Sequence, residues 1–112
     1  MSNLLSNKSY EELEKASIEW SVAAGKAIIL HEGLKATYSK CFLKHKLDSK
    51  TVIEAEHKAR TDEDYKKIVE VYAEAETNLV KARYHYNNLD KLVSLRQSEL
   101  KRDLALNGKQ PT

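Results

Sequence analysis

The chain has 112 residues, of which 32% are charged and 41% belong to the group Ala, Val, Ile, Leu, Met, Phe, Trp, Tyr and Cys, with three Gly and one Pro. Nineteen basic against 17 acidic side chains leave a formal charge of +2, too small an excess for a dedicated duplex-DNA binder, so any nucleic-acid site has to be local. A single cysteine, Cys41, excludes an internal disulfide and, with no recognisable leader, points to a reducing compartment, the cytoplasm.

Residues 1 to 8 are polar and aperiodic and read as a flexible N-terminus. Ser9-Tyr10-Glu11-Glu12 has the form of a capping box, with Ser9 as N-cap, which predicts a helix from about residue 10. Leu13, Trp20, Ala27, Leu34 and Cys41 then recur every seven residues, interleaved with Ala16, Ala23, Leu30 and Thr37, and mark one face of a helix reaching about residue 47. Its most apolar run, Val22 to Leu30, is interrupted by Lys26 and is about half the roughly 20 residues a membrane span needs, so no membrane partner is expected.

Asp48-Ser49-Lys50-Thr51 breaks the pattern and offers capping side chains, and Val52 to Ala59 predicts a short connecting helix. Thr61-Asp62-Glu63-Asp64 reads as a new start, with Thr61 as N-cap and three carboxylates near the positive end of the helix dipole. The ladder that follows is Tyr65, Tyr72, Leu79, Tyr86, Val93 and Leu100, accompanied by Ile68, Ala75, Ala82 and Leu89. Stop signals come only at Asn107, Gly108 and Pro111.

The expected fold is therefore all-α: a long antiparallel helical hairpin with a short connecting helix, forming a single domain over 9–106, with 107–112 flexible. Charge order agrees with antiparallel pairing. Glu11, Glu12, Glu14 and Glu19 fall opposite Lys91, Arg96, Lys101 and Arg102, and Lys40, Lys44 and Lys46 opposite Asp62, Glu63 and Asp64. Two helices leave apolar lines wet: Ile18, Val22 and Ile29 on the first, and Val69, Val80, Leu92 and Leu95 on the second. These residues predict an interface with further copies of the chain in an oligomeric helical bundle.

No glycine-rich phosphate loop, HExxH or CxxC spacing is present, and His31, His45, His57 and His85 are scattered without an i, i+4 histidine partner. No catalytic residue, metal or cofactor is expected, and Cys41 reads as a buried small hydrophobe. Aromatic residues interleave with basic ones in two places, a texture that lets bases stack on rings while cations hold phosphates. The first holds Tyr38, Lys40, Phe42, Lys44 and Lys46; the second holds Arg83, Tyr84, Arg96 and Arg102. The plainer reading of both is a solvated face with inter-helix ion pairs.

The run Glu54-Ala55-Glu56-His57-Lys58-Ala59-Arg60, followed by Asp64-Tyr65, Ala75, Ala82-Arg83, Leu89, Arg96, Glu99 and Arg102, resembles small phage-encoded recombination mediators of the UvsY type. The resemblance covers roughly residues 50 to 104. It implies a small, helical, oligomeric protein of the host cytoplasm that binds single-stranded DNA and helps a recombinase load onto strands coated by single-strand-binding protein. Arg83, Arg96 and Arg102 would then be DNA contacts.

The sequence thus carries two main expectations. One is an oligomeric, non-enzymatic nucleic-acid accessory protein, binding single-stranded DNA in phage recombination or replication. The other is a small helical protein-interaction module, a phage-encoded inhibitor or adaptor of a host protein. A structural coiled coil of a virion or scaffold is a third.

Overall fold

The computed structural model describes residues 7 to 108, which form three helices: α1 (Asn7–Lys46), α2 (Val52–Thr61) and α3 (Glu63–Gly108). The chain divides into two compact units, one of Met1–Ser21 with Lys81–Thr112 and the other of Val22–Val80. Each takes a stretch of α1 and a stretch of α3, and the second also contains α2.

In the first unit, Gln97 Nε2 donates to the Tyr10 hydroxyl at 3.3 Å, and the rings of Trp20 and Tyr86 lie 5.3 Å apart. In the second, His31 meets Tyr72 at 5.4 Å, Tyr38 meets Tyr65 at 5.5 Å, and Lys44 reaches Asp62 at 3.2 Å. Within each unit the residue number on α3 falls as that on α1 rises, so the two helices run antiparallel. Every ladder residue expected on the seam is half-buried or buried.

The core these ladders make is thin. Its buried members are Ala16, Ala27, Cys41, Ala55, Ala59, Ala75 and Val93, and no large side chain among the described residues is fully enclosed. Small residues at the centre let the helix backbones approach closely. The rings of Trp20, Tyr38, Tyr65, Tyr72 and Tyr86 are half-buried at the margin, where an apolar body can pack while a polar edge stays wet. On α2, Ala55 and Ala59 are 1% and 0% exposed, so this short helix is docked by two methyl groups one turn apart.

Several starts and stops differ from expectation. Helix α1 begins at Asn7, so Ser9 lies inside it rather than capping it. Thr61 is not the N-cap of the last helix but the final residue of α2, where its hydroxyl donates back to the carbonyls of His57 and Lys58. The N-cap of α3 is Asp62: its carboxylate accepts from the Asp64 N–H at 2.9 Å, and its carbonyl accepts from the Lys66 N–H. A carboxylate beats a threonine hydroxyl here because it also meets cations from α1. Helix α2 is capped by Thr51, whose hydroxyl accepts from the Glu54 N–H at 3.1 Å while the Glu54 carboxylate reaches back to the Lys50 N–H.

Helix α3 continues through Asn107, which does not stop it, and its last residue is Gly108. Flexibility at 1–6 and 109–112, and a stop at Pro111, concern segments outside the described residues.

Among the described residues, the expected charge pairing is realised at one place only, Lys44 with Asp62. Glu11, Glu12, Glu14 and Glu19 form no ion pair with Lys91, Arg96, Lys101 or Arg102, and Lys40 and Lys46 form none with the α3 carboxylates. These side chains are mostly exposed, where hydration competes with pairing and an ion pair gains little.

Candidate functional site

Asp62 is the polar centre of the second unit. Its side chain is 7% exposed, and one carboxylate oxygen takes both His45 Nε2 at 2.7 Å and Lys44 Nζ at 3.2 Å, while the other caps α3. The His45 hydrogen bond, then the Asp64 N–H, then the Lys44 ammonium hold its carboxyl at about 2, below the usual carboxylate range. Cys41 lies beside it, 4% exposed, with its thiol pushed up by burial and by the neighbouring carboxylates Asp62 and Asp64. A thiol so placed is a poor nucleophile. The cluster therefore ties the end of α1 to the start of α3.

Next to this clamp the two helices leave a groove of about 630 Å³, lined by Thr37, Lys40, Cys41 and Lys44 from α1 and Asp64, Lys67, Ile68 and Val71 from α3. Its lining carries three ammonium groups, one carboxylate and the aliphatic side chains of Ile68 and Val71. Lys44 is already engaged by Asp62, whereas Lys40 and Lys67 have no ion-pair partner among the described residues. The chemistry of this lining suits an anion that also carries an apolar surface.

The residues proposed from sequence are only partly brought together. Lys40 and Lys44 share the groove. Tyr38 and Phe42 stack on each other at 6.5 Å, and Tyr38 turns its ring to Tyr65. At 100° per residue, these two rings fall on the far side of Cys41 from Lys40 and Lys44, so rings and lysines occupy opposite flanks of the seam. Lys46 is exposed at the end of α1 and does not line the groove. Arg83, Tyr84, Arg96 and Arg102 belong to the first unit, with Tyr84 63% exposed, Arg83 and Arg102 exposed and Arg96 half-buried.

Sequence reasoning missed Lys67 and the role of Asp64. The spacing of Asp64, Lys67 and Val71, at i, i+3 and i+7, puts them on one face and would have suggested a shared surface. All seven residues assigned to an oligomer interface are exposed: Ile18, Val22, Ile29, Val69, Val80, Leu92 and Leu95 range from 37% to 72%.

Among the described residues, no cluster of His, Cys, Asp and Glu has the arrangement of a metal site, and no helix is long and apolar enough to cross a membrane. Comparison with protein-family models, with curated proteins and with solved structures returns no match to the chain.

Proposed function

We propose that this chain is a self-associating, non-enzymatic accessory protein that binds single-stranded nucleic acid, of the kind its resemblance to phage recombination mediators implies. The observation that carries this reading is the groove whose lining combines Lys40, Lys44 and Lys67 with Ile68 and Val71. A single strand offers both of the chemistries that groove accommodates, whereas a duplex hides its bases.

The experiment is fluorescence anisotropy of a labelled oligo(dT) strand with wild type and with Lys40→Glu combined with Lys67→Glu, the two groove lysines that no carboxylate engages among the described residues. Lys44 is left alone because its replacement would remove one of the partners of Asp62. Loss of at least tenfold in affinity at about 50 mM salt, with unchanged helical circular dichroism, supports the assignment. Unchanged affinity removes it.

A second reading, a helical module that docks on another protein, draws on a different observation. Ile28, Ile29, Leu43, Leu47 and Ile53 are all more than 60% exposed, an unusual density of wet aliphatic side chains. Pull-down of one stoichiometric protein partner by a chain that binds no oligonucleotide would favour it.

A further inference from the structure

Helix α1 carries a second seven-residue ladder outside its seam. Val22, Ile29, Ala36 and Leu43 repeat at intervals of seven, and the three large members are 65%, 72% and 62% exposed. Leu47, one turn beyond Leu43, is 89% exposed, and Gly25 is open, with no atom within 4 Å of where a side chain would begin. A strict seven-residue repeat keeps its face only toward another helix with the same period. Lys26, Lys40 and Lys44 run along one edge of this stripe, and Lys40 and Lys44 are the same lysines that line the groove.

We infer that the stripe pairs with the same stripe of a second copy, antiparallel about a two-fold axis, and that a polyanion lying along the lysine edge holds the pair together. The inference rests on the nucleic-acid reading above and names the assembly through which that site works. Antiparallel alignment sets Ile29 against Ala36 of the second copy, a large residue against a small one, and Val22 against its Leu43; parallel alignment would oppose Ala36 to Ala36 and leave a gap. Gly25 then faces the level of Lys40 of the second copy and leaves room for its stem.

The area available explains why an anion is needed. Residues 22 to 47 span about 38 Å at 1.5 Å per residue, and a helix some 10–12 Å wide gives a strip of roughly 400 Å². That is about half of the ~800 Å² per partner of a standard interface. Antiparallel pairing also brings Lys26 of each copy beside Lys40 of the other, and like charges oppose association. Glu32, the nearest acid on the stripe, sits at the opposite edge and is paired with Lys35 at 3.6 Å. A phosphate backbone along the lysine edge removes the repulsion and bridges the two grooves. By reciprocity, whatever factor the strand adds to pairing, pairing adds to strand affinity.

The test is sedimentation of the full chain at about 50 mM salt with and without an oligo(dT) strand long enough to span two chains, for wild type and for Ile29→Asp, an exposed position whose change leaves the seam intact. The expected result is at least a tenfold strengthening of wild-type dimerisation by the strand, absent in Ile29→Asp, whose strand affinity falls by the same factor. For the alignment, a mixture of Val22→Cys and Leu43→Cys chains is oxidised: disulfide between the two variants, with little within either alone, is expected.

A strand bound by a chain that stays monomeric overturns this inference and leaves the function standing. Dimerisation with no strand binding overturns both the coupling and the function. A dimer unaffected by Ile29→Asp, or self-linked Val22→Cys, assigns the contact to another face or register and overturns the pairing.

Discussion

Replacing Ala59 by leucine probes the feature on which the second unit most depends, the docking of α2 by two methyl groups. Ala59 is 0% exposed and Ala55, one turn earlier on the same face, is 1% exposed, so a larger side chain finds no unfilled volume. Inserting methylenes into a packed position costs about 1–3 kcal/mol. Both ends of α2 are fixed, by Thr51 at the start and by Asp62 at the end, so the helix has little freedom to slide away and the upper half of that range applies. A cost of about 2 kcal/mol lowers Tm by roughly 10 °C in a domain of this size.

The assay is thermal denaturation followed by circular dichroism at one fixed chain concentration, which keeps Tm values comparable between variants. Arg60→Leu is the control: its position is exposed on the same helix, and a change within about 0.5 kcal/mol is expected. An Ala59→Leu protein as stable as wild type would mean that α2 is not packed on its alanine face, and the reasoning about the thin core would fail.

Other expectations follow from the same contacts. Since the Asp62 carboxyl is depressed from 3.8 to about 2, its contribution to stability is present above about pH 4 and is lost as pH falls toward 2. Thermal melts across that window should be flatter for Asp62→Asn, and an identical slope would show that the clamp adds nothing. Thr51→Ala should cost about 1 kcal/mol through loss of the α2 cap while Thr51→Ser costs little, both read from denaturant melts; equal losses would contradict a hydroxyl cap. Cys41, buried and with its thiol pushed up, should react with a thiol reagent far more slowly in the native protein than in denaturant. Rapid native labelling would place it at the surface.

The seam was legible in the sequence because burial on a helix pair follows the period of the helix, and Leu13 to Cys41 and Tyr65 to Leu100 keep that period throughout. The cap positions were less so. Thr61 and Asp62 are adjacent and both of capping type, and only the cations arriving from α1 decide between them; Ser9 had the right spacing to Glu12 but lies within a helix that starts earlier. Thr51-Val52-Ile53-Glu54 held the signature that Ser9 only imitated.

The groove was hardest to see. Lys40 and Lys67 are distant in sequence, and what sets them side by side is the register between α1 and α3, which the spacing within either helix does not fix. Lysines and rings that alternate along residues 38 to 46 look like one surface in a string of letters. On a helix, alternation sends them to opposite flanks.

The most direct test of the account is the salt dependence of binding to a single-stranded oligonucleotide. With Lys40 and Lys67 unpaired among the described residues and Lys44 held by Asp62, the slope of log affinity against log salt should be about −1.4 per chain, so raising salt from about 50 to 200 mM weakens binding roughly sevenfold, and Lys67→Ala should reduce the slope by about 0.7. Measurable affinity with that slope, and its reduction in the variant, is the result the account predicts. No binding at low salt, or binding indifferent to salt and to Lys67, contradicts it.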